Sequence, residues 1–440
     1  MKTNSALMKL GLGAMVAVLL SGCGLFGDDK ERLSGERIRI RDQQAVNQAV
    51  SQAAATPLPA PVSNAAWTQT NGQSSHASGH LSAPSTPSRA WQVSAGSGGG
   101  GDSAITSTPI VFGGRIFVMD AAGQVSAHDT ATGATAWEIS LAPEGEGDDE
   151  GFGGGLASDG EIIYATTGFG EIIAISPSDG STIWRQRVDA PFRAAPAVAN
   201  GTVVAVTRDN RAVAVSARSG SVTWQINGIA AAAGLLGGAS PAIQGDLVVL
   251  PFTSGEVIGA QLSTGRRIWN AVLGGARRGL ARSSISDVTG DPVIAGRAVI
   301  AANQSGRIVA IDGQNGRRGW TRSIGSTGPL WAAGRSIFMT TDDSTVTRLD
   351  LQSGQTVWRT KIPAFEDEED REDPIAYSGP VLAGGNVLVT DSTGKMLVFD
   401  PDTGAERSPI DLSGGSVTGP VVAGGTVYVL TDDGDLHAFR

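Results

Sequence analysis

The chain has 440 residues, of which 61 are glycine, 17% are charged and 40% are apolar. One cysteine and four histidines exclude an intramolecular disulfide and a cysteine- or histidine-rich metal centre. A net charge of -10 argues against a nucleic-acid-binding surface, which needs clustered lysine and arginine.

The N-terminus reads as an export signal. Lys2 and Lys9 form a positive start, and residues 10–20 form an apolar run too short to span a bilayer comfortably. The run ends in Leu20-Ser21-Gly22-Cys23. Small residues before a lone cysteine resemble a bacterial lipobox, in which the thiol takes up the lipid and becomes the new N-terminus. Cys23 is therefore expected to be the lipidation site and to tether an exported protein through acyl chains. Gly24 in place of aspartate resembles an outer-membrane sorting signal. Residues 24–88 are rich in charged residues, Gln, Ala, Pro, Ser and Gly. They read as a flexible spacer and lead-in, with too few large apolar side chains to offset ordering entropy.

From residue 89 the chain repeats. Gly, three residues, then Trp recurs as Gly133/Trp137, Gly180/Trp184, Gly220/Trp224, Gly265/Trp269, Gly316/Trp320 and Gly354/Trp358. Gly404 continues the series with Ser408 in the tryptophan's place. The period is about 44 residues, the size of a propeller blade. Each unit holds alternating apolar runs separated by Asn/Asp/Gly turns, the pattern of an antiparallel meander. Eight units fit, and the eighth stops at Arg440 without its fourth strand. Residues 89–94 (RAWQVS) supply a strand with Trp91 at the right place. The expected fold is all-β: an eight-bladed propeller closed by that N-terminal strand, with no open sheet edge at the join. The expected divisions are a signal at 1–22, a tether at 23–88 and a propeller at 89–440. Trp91, Trp137, Trp184, Trp224, Trp269, Trp320 and Trp358 are expected to pack between blades.

The unit, with its Gly-x-Leu/Val-x-Ala-x-Asp-x-x-Thr-Gly-x-x-x-Trp core, resembles the quinoprotein-type propeller repeat. Two groups use eight such blades: the pyrroloquinoline-quinone dehydrogenases, and the BamB family of lipoproteins in the β-barrel assembly machinery of the outer membrane. The lipobox and the lead-in AAWTQTNGQSSHASGH resemble the second group. The dehydrogenases carry a vicinal cysteine pair, and no cysteine follows Cys23. The resemblance implies a scaffold without cofactor or catalytic residues, on the periplasmic face of the outer membrane. Its implied partner is the barrel-forming assembly protein, bound at its periplasmic domains, with unfolded outer-membrane proteins as possible clients. The quinone-dependent dehydrogenase is the alternative.

A scaffold acts through loops held by a rigid frame. The run 226–240 (INGIAAAAGLLGGAS), with Leu235 and Leu236 at its centre, reads either as a docking loop or as cover for the propeller face. Residues 274–291 carry Arg277, Arg278 and Arg282, then Ile285-Ser286-Asp287-Val288. The latter run resembles the segment that the family uses to bind the barrel-forming protein, although Thr289 replaces a second aspartate and the run 226–240 lacks the family's arginine. The three arginines otherwise read as a solvated loop. Acidic runs at 144–150 and 366–373 read as solvated loops or, less simply, as cation sites.

Overall fold

The computed structural model describes residues 54–100, 103–147, 151, 153–231, 234, 237–274 and 285–440. Contacts divide the chain into two units, 1–50 and 51–440, and all described residues lie in the second. Cys23 thus lies outside the described residues.

The second unit holds eight four-stranded antiparallel sheets. In chain order they cover 110–140, 154–187, 197–227, 242–272, 288–322, 331–361 and 377–411, and the last combines 421–439 with 89–94. We call them blades 1 to 8. In blade 8, Arg89–Ser94 pairs with Asp435–Phe439, the last strand of the chain, and Ser88 and Arg440 exchange backbone hydrogen bonds of 2.9 Å. This is the closure expected from the unpaired N-terminal strand.

The second and third strands of each blade are largely buried on both faces because each is covered by a blade on either side. Blades 3 and 4, for example, share one cluster containing Val204, Ala214, Val248 and Ile258. Outer strands instead alternate, and Thr182–Arg187 buries only every second residue partly.

Seven tryptophans lock neighbouring blades together. Each lies on an outer strand and donates its indole N–H to the turn before the outer strand of the next blade. The acceptors for Trp91, Trp137, Trp184, Trp224, Trp269, Trp320 and Trp358 are the carbonyls of Thr130, Pro177, Ala217, Leu262, Gly313, Leu351 and Pro401, at 2.7–3.3 Å. The ring then runs under the glycine of that turn. A Cβ at Gly220 would lie 2.6 Å from Cε3 of Trp184, and φ there is +72°, so glycine is required twice over. The Gly-x-x-x-Trp repeat is therefore not one contact but two: each glycine receives the tryptophan of the blade before it.

That pairing explains the break in the series. The turn that should receive the side chain of blade 7 would precede the outer strand of blade 8, where the chain has its two ends instead. Pro87 occupies the glycine position four residues before Trp91, and exposed Ser408 occupies the tryptophan position. With no turn to pack beneath, a tryptophan there would be left in water.

Residues 54–88 differ from the expected spacer: they lie on the ring and touch every blade in turn. Asn64 bonds Val422 and Gly424 of blade 8. Trp67 exchanges two 2.7 Å backbone bonds with Val111 of blade 1, and the Thr68 carbonyl accepts from Ser158 of blade 2. The Gln69 amide pairs with both backbone groups of Val198 in blade 3. The carbonyls of Ser74 and Ser75 accept from Ile243 of blade 4 and Ile294 of blade 5. The Gly79 carbonyl accepts from the Trp331 indole of blade 6 at 2.7 Å, and Leu81 bonds Leu382 and Gly384 of blade 7. The segment needs few apolar side chains because the inner strands offer it unpaired main-chain groups. Trp67 and Leu81 supply its buried anchors, and Trp67 stacks on Trp331 at 5.8 Å.

Candidate docking surface

An antiparallel meander puts its connections on two faces. One face carries the tight turns within blades and the circling segment 54–84. The other carries the hairpins between second and third strands and every connection from blade to blade. The described residues of the long connections singled out in the sequence fall on this second face.

Three of these connections meet near the axis. Arg193, between blades 2 and 3, forms a two-pronged ion pair with Asp287, between blades 4 and 5, at 2.7 and 2.8 Å. Both side chains are buried, at 7% and 1% exposure. Arg193 also donates to the Gly237 carbonyl, between blades 3 and 4, at 3.1 Å. Ser240, at the end of that connection, donates its amide to Asp291 at 2.7 Å.

This corrects two expectations. Asp287 was expected on the partner-binding surface, yet it is fully buried and ion-paired with Arg193. Val288 is likewise buried: it opens the inner strand Val288–Ala295 and packs with Ala239 and Leu273. Ile285 and Ser286 are half-buried just before them. Leu235, Leu236, Arg277, Arg278 and Arg282 lie outside the described residues. Arg193 was missed because its partner is 94 residues away and no local pattern marks it.

Ile229 was not singled out within the run 226–240. Its backbone is fixed by Glu256, which accepts from its N–H at 2.8 Å, and by Asn210, which donates to its carbonyl at 2.7 Å. Its side chain is nevertheless 54% exposed. A rigidly held, exposed isoleucine is suited to anchor a partner.

The acidic run 366–373 forms part of an exposed hairpin pairing Phe365–Asp367 with Glu372–Pro374. Among the described residues, no group of three His, Cys, Asp or Glu side chains is placed to hold a metal ion.

The axial cavity has a volume of about 250 Å³ and is lined by Trp67, Asn71, Ser240, Asp287 and Asp291 among others. Burial pushes the Asp291 carboxyl up to about 7, partly offset by the Ser240 amide. The folded chain therefore holds a proton that the unfolded chain releases at ordinary aspartate pH. This group's contribution falls as pH rises from about 4 and levels off above about 7, where the penalty reaches about 4 kcal/mol. Asp291→Asn keeps an oxygen for Ser240 and removes the charge. It is expected to raise the melting temperature at pH 8 and leave it unchanged at pH 4. The comparison is made at each pH because His76 and His437, both pushed down to about 4 by burial, destabilise the fold in acid. Equal melting shifts at pH 4 and pH 8 would contradict the assignment.

The fold and its repeat define the class: an eight-bladed propeller of quinoprotein type. The chain belongs to the family described as "Outer membrane protein assembly factor BamB", whose model matches residues 77–149, 121–360 and 367–440. A relative from Burkholderia pseudomallei with that name is 27% identical over 352 residues, covering 80% of this chain and 87% of the relative. The crystal structure of BamB from Moraxella catarrhalis superposes with a TM-score of 0.67 at 18% identity, over 81% of this chain and 100% of the other. A quinohemoprotein alcohol dehydrogenase from Comamonas testosteroni gives 0.64 at 12% identity, over 85% and 80%. At such identities the two structures speak for the fold alone.

Proposed function

We propose that this chain is a lipid-anchored, non-enzymatic scaffold of the machinery that assembles β-barrel proteins into the outer membrane. It is held to the periplasmic face through Cys23 and binds periplasmic domains of the barrel-forming protein. The observation that carries this reading is family membership over most of the chain, with relatives named as assembly factors. The loop face supports it by presenting exposed Ile229 on a fixed backbone beside the connections at 226–240 and 285–289. Such a surface works by complementarity, and no step requires a reactive group.

The test is capture of the partner's periplasmic domains on the immobilised lipidated protein. The wild type is expected to bind. Ile229→Asp is expected to weaken binding roughly tenfold or more, since buried apolar anchors dominate such interfaces. Melting should be nearly unaffected because Ile229 lies in water. Wild-type protein that captures nothing would overturn the reading.

A further inference from the structure

We propose that Arg193 is a positioning residue of the docking face: its guanidinium shapes the connection between blades 3 and 4 from beneath and ties it to the connection before blade 5. This inference rests on the docking reading above.

The geometry is specific to the three connections. Arg193 reaches across from the blade 2–3 connection, and its fork closes on both oxygens of Asp287. The backbone of the intervening connection lies on top. A Cβ at Gly238 would stand 2.8 Å from Nε of Arg193 and 3.0 Å from its Cζ. A Cβ at Gly234 would stand 2.7 Å from Cγ2 of Thr253 and 3.3 Å from Nη1 of Arg193. Glycine at these two places lets the main chain settle on the guanidinium plane. The Gly237 carbonyl then accepts directly from Nη1. The run 226–240 contains no arginine of its own, so the cation at its base is borrowed from the neighbouring connection.

A buried ion pair contributes little net stability against an apolar replacement, because desolvation offsets the attraction. Its effect is selective: a planar, two-pronged pair accepts one relative placement of its two strands and rejects others. Arg193, held by Asp287 and bonded to the Gly237 carbonyl, thus sets the separation of the blade 3–4 and blade 4–5 connections, which a partner must meet together. Exposed Ile229 on the first connection and half-buried Ile285–Ser286 on the second are the elements so spaced. A change at Asp287 alters binding through Arg193 and not through contact with the partner.

The test uses the full-length protein with Arg193→Met, Arg193→Lys and Asp287→Asn. Two quantities are read: affinity for the partner's periplasmic domains, and backbone hydrogen exchange within 228–240 and 285–289. Arg193→Met is expected to weaken binding roughly tenfold or more. It should also speed exchange in both segments while the outer strands stay protected. Arg193→Lys restores the charge facing Asp287 and is expected to recover part of both losses. Asp287→Asn together with Arg193→Met should cost no more than Arg193→Met alone, since the pair acts as a unit. Unchanged exchange in both segments of the Met variant would overturn the clamp, whatever happens to binding. So would additive losses in the double variant, which would make Asp287 a contact in its own right. If wild-type protein fails to bind, the docking reading falls, and the exchange result still decides the clamp.

Discussion

Trp269→Ala is expected to lower the stability of the propeller by about 3–5 kcal/mol, the usual cost of emptying a buried aromatic site. Trp269 is 6% exposed and donates to the Gly313 carbonyl at 2.7 Å. Its Cβ lies 2.5 Å from where a Cβ on Gly316 would be, so the turn is built around it. Alanine would leave a void between blades 4 and 5 and a carbonyl without its donor. A rigid turn held at positive φ has little freedom to collapse into that space. The matched control is Ser408→Ala, at the same repeat position in blade 7. Ser408 is exposed and faces no receiving turn, so its replacement should stay within about 0.5 kcal/mol. Denaturant midpoints at constant m-value report both. A Trp269 variant that loses less than about 1 kcal/mol would sink the account of the glycine–tryptophan lock.

A chain that begins at Ala95 is expected to lose its cooperative unfolding transition and to associate. Removing residues up to 94 takes away the outer strand of blade 8 and the whole circling segment. The strand Asp435–Phe439 then becomes an edge, and Leu436, Ala438 and Phe439, now at most 1% exposed, lose much of their cover. Bare edges of this kind template pairing with other chains. Trp331 stays in the chain but loses both the Trp67 ring stacked on it and the Gly79 carbonyl that satisfies its indole. Light scattering and thermal melting test this. A monomer melting within about 5 °C of the intact protein would show that closure contributes little.

The blades could be read from the sequence because their signals repeat. A glycine and a tryptophan recurring about every 44 residues mark one interface copied around a ring. The missing fourth strand at Arg440 and the spare strand at 89–94 matched in the same way. Even the exception at Ser408 follows from the ring, although only the structure shows that the receiving turn is what is absent. The circling segment was illegible because nearly all its bonds go to main-chain groups of the blades, which no residue type advertises. The two tryptophans outside the series, Trp67 and Trp331, were the trace it left: they meet each other where the segment crosses blades 1 and 6. The docking face was half legible. Its connections stand out by length and composition, but the run at 285–288 suggested a surface where Asp287 and Val288 are in fact interior. Burial of a charge depends on a partner, and Arg193 sits in a different connection altogether.

The pairing of Arg89–Ser94 with Asp435–Phe439 also fixes the order of events when the chain is made. The strand that completes the ring is synthesised before any whole blade, and its partner only after blades 1 to 7. Blades 1 to 7 can form as they appear, each from neighbouring sequence, but blade 8 must wait for residues 435–439. Until then the molecule carries two unsatisfied strand edges, a state prone to wrong pairing. Such distant pairing is slow to find, since the loop it closes is nearly the whole domain. A chain cut short by a handful of residues cannot close at all. The ring therefore closes only once both 89–94 and 435–439 are in place, whatever the state of the seven blades between them.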